Sequence, residues 1–169
     1  DVRSALFGTR LMDDFFQVRV GGDLAFIQGA MKVMGEQGTV NSGFIETYTD
    51  GFPDLAAQLK QLSWPEIESS AGVSRSDIER FAGLYGRAKT AVLCYSMGLT
   101  QHRFGVENVK AIADLALIGG NLGREKCGIM PIRGHSGVQG GGECGVDPDK
   151  FPGGFEVNAE NAARFSELW

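Results

Sequence analysis

Two side chains in a glycine-dense segment, Arg133 and His135, have the chemistry needed to hold a small oxyanion. Arginine presents a permanently charged, planar fork of donors that matches carboxylate or phosphate oxygens, and histidine adds a hydrogen bond that depends on protonation. The glycines of residues 129–145 let a ligand or a neighbouring element approach the backbone closely. We therefore predict that both side chains bind an oxyanion, with a surface salt bridge as the alternative interpretation.

A second group, Met97, Gly98 and Gln101, follows a short apolar run. Methionine offers a soft apolar contact, glycine gives access to the backbone, and the glutamine amide both donates and accepts hydrogen bonds. This combination indicates a site for a heterocycle with mixed hydrogen-bonding edges. An ordinary polar loop is the alternative interpretation.

The third group consists of Gly21, Gly22 and Asp23. The glycines allow close backbone approach, and the carboxylate would accept hydrogen bonds from a ribose hydroxyl or from the donor edge of guanine. The full Gly-x-Gly-x-x-Gly pattern of dinucleotide-binding folds is missing. A helix cap formed by the Asp23 side chain explains the same residues without a ligand.

Composition narrows the function further. The chain has only two histidines and neither has an evident acidic partner, so no complete set of nucleophile, base and orienting acid can be assembled. Cys94, Cys127 and Cys144 include no Cys-x-x-Cys pair, so we expect neither a zinc site nor an iron–sulfur cluster ligated by this chain. The net charge of -5 argues against a nucleic-acid partner. No apolar run reaches the roughly 18 residues of a membrane span, and a cytoplasmic location is favoured.

The sequence predicts two strand–loop–helix units that would position these groups. Residues 15–20 alternate in character and are rich in β-formers, which predicts a strand, and apolar spacing then predicts a helix over 23–37. The apolar run 91–95 predicts a strand covered on both faces. It is followed by a nearly all-apolar helix over 106–118 that ends at a pair of glycines.

Short helices are predicted between the two units, each opened by Asn, Pro or Ser. Their predicted ranges are 41–49, 52–62, 64–71 and 74–89. Ser74 and Asp77 approximate a capping box. Residues 119–145 hold ten of the 25 glycines, so we expect no long element there and a terminal helix from Ala159. The predicted fold class is α/β, a Rossmann-like parallel sheet with flanking helices that forms an incomplete part of a larger protein.

Four segments agree in order, spacing and identity with one enzyme family. They are Tyr95–His102, Gly105–Val109, Gly119–Arg124 and Pro131–Gly140. They resemble the molybdopterin oxidoreductases of the dimethyl sulfoxide reductase superfamily, specifically proteins like the formate dehydrogenase alpha subunit. The resemblance implies one molybdenum or tungsten held by two molybdopterin guanine dinucleotides (bis-MGD), with a [4Fe-4S] cluster elsewhere in the parent polypeptide. It also implies two-electron oxidation of a small oxyanion such as formate, with an electron-transfer subunit as a possible partner.

The resemblance also implies roles for the three groups of residues. Gly21–Asp23 match a position that contacts a guanine nucleotide, and Met97, Gly98 and Gln101 match the cofactor-contacting Met-Gly-x-x-Gln segment. Arg133 matches the arginine that lies beside the metal and helps to hold formate, and His135 would tune that pocket.

One departure concerns the substrate. Formate dehydrogenases continue the Arg-Gly pair with Gln-Asn-Asn, whereas this chain has His135-Ser136-Gly137, so the resemblance leaves formate itself open. It also implies that the metal ligand and the cluster cysteines precede Asp1, and that the isolated chain is inactive. We predict that residues 1–135 form an α/β region that binds the cofactor, and that residues 136–169 cross towards a neighbouring domain. The alternative is a stand-alone nucleotide-binding or regulatory module without redox activity.

Overall fold

The computed structural model describes residue 8, residues 12–135 and residues 137–168. The chain divides into two compact units, Asp1–Met130 and Pro131–Trp169. The roles predicted for residues 1–135 and 136–169 stay predictions.

Five helices precede the first strand in the described part of the first unit. They are α1 (Asp23–Gln37), α2 (Ser42–Tyr48), α3 (Phe52–Gln61), α4 (Trp64–Ala71) and α5 (Arg75–Arg87). The predicted helices are confirmed, with ends that shift by no more than two residues. Three of them begin where predicted because the side chains of Asn41, Ser63 and Ser74 each accept a hydrogen bond from a backbone N–H three residues on. Ser74 Oγ also donates to Asp77 Oδ2 at 2.7 Å.

Helix α1 forms the centre of the core. It packs against α3, α4 and α5 and against the later helix α7 (Gly105–Ile118). Ala30 and Met34 are completely buried, and Met31 and Val33 are each 2% exposed. This apolar surface, removed from water, is what holds the helices of the first unit together.

The remaining elements of the first unit are short, apart from α7. They are β1 (Val92–Tyr95), α6 (Met97–Thr100) and β2 (Gly128–Pro131). Strands β1 and β2 form a two-stranded parallel sheet. At its start, the Gly128 N–H donates to the carbonyl of Ala91, the residue before β1, at 3.2 Å. Helix α7 ends as predicted, because Gly120 takes a left-handed φ of 63° that glycine tolerates.

The strand predicted over 15–20 is wrong. The structure contains no strand there, and the Arg19 N–H donates instead to the Ala71 carbonyl at the end of α4, at 2.8 Å. Phe16 and Val18 of this segment still pack against the core, whereas Phe15 and Val20 are exposed. Phe16 contacts Phe26 and Phe81 at ring-centroid distances of 5.8 and 5.7 Å. The alternating side chains therefore indicate an extended segment with one buried face, but its backbone bonds to the end of a helix and not to a neighbouring strand.

The prediction that β1 is covered on both faces is also wrong for the described residues. Val92 is 50% exposed and Cys94 is exposed, whereas Leu93 and Tyr95 pack against the core. One face of the small sheet is therefore in contact with the helices and the other is bare.

The second unit contains a small hairpin and a terminal helix. Its elements are α8 (Val138–Glu143), β3 (Lys150–Phe151), β4 (Phe155–Glu156) and α9 (Ala159–Leu168). The antiparallel strands pair Phe151 with Phe155, and both rings contact Phe165 of α9 at centroid distances of 5.0 and 5.8 Å. The helix predicted from Ala159 is confirmed, whereas the hairpin was not predicted.

Candidate functional site

The turn α6 presents Met97, Gly98 and Gln101 on one side. Residues four apart share a helix face, so Met97 and Gln101 are neighbours, and Gln101 Nε2 donates to Met97 Sδ at 3.5 Å. All three residues are exposed, Met97 by 46%. Apart from its chain neighbours and the backbone of the turn itself, no heavy atom of the described residues lies within 4 Å of the position that a Cβ on Gly98 would take. This side of the turn therefore has room for a ligand next to a thioether, a bare backbone and an amide.

The opposite side of α6 rests on the first turn of α7. Leu99 and Thr100 are both partly buried, and the Leu99 carbonyl accepts a hydrogen bond from Asn108 Nδ2 at 2.8 Å. A Cβ on Gly105 would overlap the Thr100 carbonyl, so the two backbones meet directly. The exposed side of the turn is thus held by contacts on its buried side.

Gly21, Gly22 and Asp23 lie together at the start of α1, where each has a different environment. Gly21 has a left-handed φ of 80° and open space around it, whereas a Cβ on Gly22 would lie 2.5 Å from the Ser70 carbonyl oxygen. The predicted cap is wrong, because Gly22 is the N-cap, Asp23 is already the first helical residue and no side chain caps α1. Gly22 therefore has a packing role, and Gly21 and the Asp23 carboxylate offer the contacts that a ligand could use.

Arg133 and His135 belong to the second unit and are both exposed. Arg133 borders an open depression of about 440 Å³. Val138, Gln139, Gly142 and Glu143 form the rest of its lining. Arg133 makes no ion pair with the described residues, so its guanidinium has donors available for an anion. Ser136, which belongs to the departure from the formate pattern, lies outside the described residues.

A buried network at the end of α7 involves the Gly119–Arg124 segment and was not predicted from the sequence. Asn121 is 1% exposed, its Nδ2 donates to the Tyr85 hydroxyl at 2.9 Å, and its Oδ1 accepts from Arg124 Nη2 at 3.0 Å. The Tyr85 hydroxyl donates in turn to the Leu115 carbonyl at 3.0 Å. Burial raises the pKa of Tyr85, although the hydrogen bond from Asn121 opposes the increase. The network joins α5, α7 and the following loop.

Lys32 is a second buried polar residue whose role was not predicted from the sequence. Its side chain is 8% exposed, and its Nζ donates to the carbonyls of Leu59, Lys60 and Leu62 at 3.1, 3.0 and 3.0 Å. These carbonyls lie at the end of α3, where donors from the helix's own backbone become scarce, although the Leu59 carbonyl also accepts from the Leu62 N–H at 3.3 Å. A lysine between Met31 and Val33, inside an apolar stretch, is the sequence feature that could have indicated this role.

Across the described residues, no three His, Cys, Asp or Glu side chains are grouped closely enough to hold a metal ion. None of the helices in the same part of the chain has both the length and the apolar character that crossing a bilayer requires.

No family model matches the chain, but several curated proteins do. Protein YdeP of Escherichia coli is 36% identical over 171 residues, which cover 95% of this chain and 22% of YdeP. Formate dehydrogenase H of the same organism is 31% identical over 161 residues, which cover 95% of this chain and 22% of that enzyme. A formate dehydrogenase alpha subunit of Methanocaldococcus jannaschii is 36% identical over 93% of this chain and 23% of its own length. The chain is homologous to a segment of the molybdopterin oxidoreductases.

The family predicted from the four segments is confirmed, and the chain spans about a fifth of the length of these relatives. A solved structure, acetylene hydratase from Pelobacter acetylenicus, matches with a TM-score of 0.65 at 17% identity. The match covers 69% of this chain and 16% of that protein. It shows that the chain shares its fold with part of acetylene hydratase.

Proposed function

We propose that this chain is the cofactor-binding part of a molybdenum or tungsten oxidoreductase of the formate dehydrogenase type. The cofactor would be bis-MGD, and a [4Fe-4S] cluster would be ligated elsewhere in the enzyme. The observation that carries the proposal is the turn α6, whose Met97, Gly98 and Gln101 are exposed while its other side is held by α7. The relation to formate dehydrogenases over nearly the whole chain supports the same conclusion.

The residues fit this cofactor by the chemistry that they offer. The Gln101 amide can pair with a ring edge that both donates and accepts, and the Met97 thioether can pack on a ring face. At Gly98 and Gly21 the space around the backbone is open, so a phosphate or a ring can approach the main chain. The Asp23 carboxylate would accept hydrogen bonds from the N–H groups of guanine. When bound, the metal cofactor would supply the two-electron chemistry, and these residues would hold and orient it.

For the substrate, we propose a small oxyanion held by Arg133 and oriented by His135. The exposed guanidinium without an ion pair among the described residues supports this role. Formate is the first compound to assay, because its oxidation to carbon dioxide releases two electrons and one proton. The electrons would pass to an acceptor or an electron-transfer subunit.

The exposed face of the small sheet is also explained if the chain is part of a larger enzyme. Val92 and Cys94 point away from the helical core. We propose that β1 and β2 are two strands of a larger Rossmann-like parallel sheet, completed by other residues of the enzyme.

The test is the cofactor content of the full-length enzyme, purified from a host that makes the molybdenum cofactor. Met97→Ala and Gln101→Ala should each lower the metal and the GMP released per folded molecule several-fold. Arg103→Ala is the matched control, because Arg103 is exposed just beyond the turn and stacks on Phe104. Equal cofactor content in all four proteins would contradict the proposal. Guanine nucleotide without metal would favour a nucleotide-binding module.

A further inference from the structure

We infer that Asn108 and Gly105 are positioning residues, which fix α6 against α7 so that Met97 and Gln101 face the cofactor. The inference rests on the proposed function for the identity of the ligand. The fixing of the turn itself follows from contacts within the first unit.

The first observation is the side chain of Asn108, which is 2% exposed. Its Nδ2 donates to the Leu99 carbonyl, nine residues earlier, at 2.8 Å. Its Oδ1 is buried and has no hydrogen-bond partner among the described residues. Turning the amide over would set two carbonyl oxygens against each other, so only this orientation makes the bond to Leu99.

The unpaired Oδ1 offsets the stability that Asn108 gains from its bond to Leu99. A buried acceptor without a donor destabilises the folded state, and an apolar residue of similar size would avoid that loss but would leave the partly buried Leu99 carbonyl without its donor. What Asn108 provides, and an apolar residue would not, is the hydrogen bond to the turn. Its gain is therefore in the position of α6 and not in the stability of the core.

The second observation is Gly105, which precedes Asn108 by one helical turn. A Cβ at this position would overlap the Thr100 carbonyl, so only glycine lets α7 begin this close to α6. The Gly105 N–H donates to the His102 carbonyl at 3.0 Å and closes the loop between the two helices. Gly105 and Asn108 thus hold two consecutive residues of the turn, Thr100 and Leu99.

These contacts decide the direction of the exposed side chains. A helix of four residues has no stability of its own, so the conformation of α6 depends on what it packs against. With Leu99 and Thr100 held on α7, Met97 and Gln101 are fixed on the other side before a ligand arrives. Without these contacts, binding would also have to order the turn, which weakens affinity.

Asn108→Leu separates positioning from stability, because it removes the unpaired oxygen while it takes the donor from the partly buried Leu99 carbonyl, and these two effects on stability oppose each other. In the full-length enzyme we therefore expect an unchanged midpoint of thermal unfolding. We also expect a several-fold lower metal and GMP content, and faster hydrogen exchange in peptides that cover residues 97–102. Asn108→Ala is a second variant, in case leucine prevents folding. The matched control is Asn121→Ala, which removes a different buried asparagine and should lower the midpoint while cofactor content per folded molecule stays the same.

A variant at Asn108 with full cofactor content and unchanged exchange of the turn would overturn the inference. The inference would also be overturned if the Asn108 variants had a lower midpoint and the same cofactor content per folded molecule as Asn121→Ala. A purely structural role for Asn108 would explain that result. Absence of metal and GMP from the wild-type enzyme would refute the proposed function instead. Hydrogen exchange in residues 97–102, compared between wild type and the Asn108 variants, would then decide whether Asn108 fixes the turn.

Discussion

Replacing the buried Lys32 by methionine should destabilise the first unit by about 3 kcal/mol. Three carbonyls at the end of α3 lose the Lys32 ammonium, and a hydrogen bond from a charged group contributes roughly 1.5–3 kcal/mol. The buried bond to Leu59 contributes most, although that carbonyl keeps the Leu62 N–H at 3.3 Å, and the carbonyls of Lys60 and Leu62 lie in partly exposed surroundings and can regain water. The methionine side chain replaces much of the apolar stem. The exposed partner Glu36, 3.8 Å away, adds little.

The assay is urea unfolding followed by circular dichroism, with thermal unfolding as a second measurement. For a domain of this size, the expected loss lowers the thermal midpoint by about 6–12 °C. Lys60→Met is the matched control, because Lys60 is an exposed lysine of α3, the helix whose last carbonyls Lys32 binds. This substitution should change stability by less than about 0.5 kcal/mol. If Lys32→Met also stayed within about 0.5 kcal/mol of the wild type, the carbonyls would not depend on Lys32 and the reasoning would be refuted.

Three further predictions concern the charge on α7, the start of α1 and the substrate. Burial raises the pKa of the Asp114 carboxyl above its ordinary 3.8, with Lys110 opposing, so ionisation of Asp114 destabilises the fold as pH rises through the raised value. Asp114→Asn should therefore raise the thermal midpoint at neutral pH and leave it unchanged below pH 3.8, and an equal gain at both pH values would contradict this. Gly22→Ala should destabilise more than Gly21→Ala in urea unfolding, since the first clashes with α4 and the second meets only a left-handed φ that costs about 1–2 kcal/mol. Arg133→Lys in the full-length enzyme should raise the KM for a small oxyanion, because lysine lacks the planar fork of donors, and unchanged steady-state kinetics would remove Arg133 from the site.

The helices were predictable because their evidence is local. Apolar residues recur at helical spacing over 23–37, and Asn41, Ser63 and Ser74 cap helices through bonds that span three residues. The strand predicted over 15–20 was wrong because alternating side chains indicate a buried face but do not identify the backbone with which the segment pairs. Here the Arg19 N–H bonds to the end of α4. The prediction that both faces of β1 are covered was wrong for a similar reason, because the residues that cover a strand lie far away in sequence.

The candidate site divides in the same way. The types of Met97, Gly98 and Gln101 were enough to predict a soft apolar contact, backbone access and an amide, whereas the helical turn that sets Met97 and Gln101 on one side was not predicted. The hydrogen bond that fixes this face was not predictable, because Asn108 bonds to a backbone carbonyl, as Lys32 does at the end of α3, and every residue type carries that group. Only the fold brings those carbonyls within reach.

The central claim is that this chain helps to hold a molybdenum or tungsten cofactor that carries two guanine nucleotides. The most direct test is to measure metal and GMP in the same sample of the full-length wild-type enzyme, by mass spectrometry of the metal and by chromatography of the nucleotide released in acid. We predict molybdenum or tungsten together with two GMP for each metal atom. Enzyme that is folded, made in a host with an intact cofactor pathway, and free of both would contradict the account.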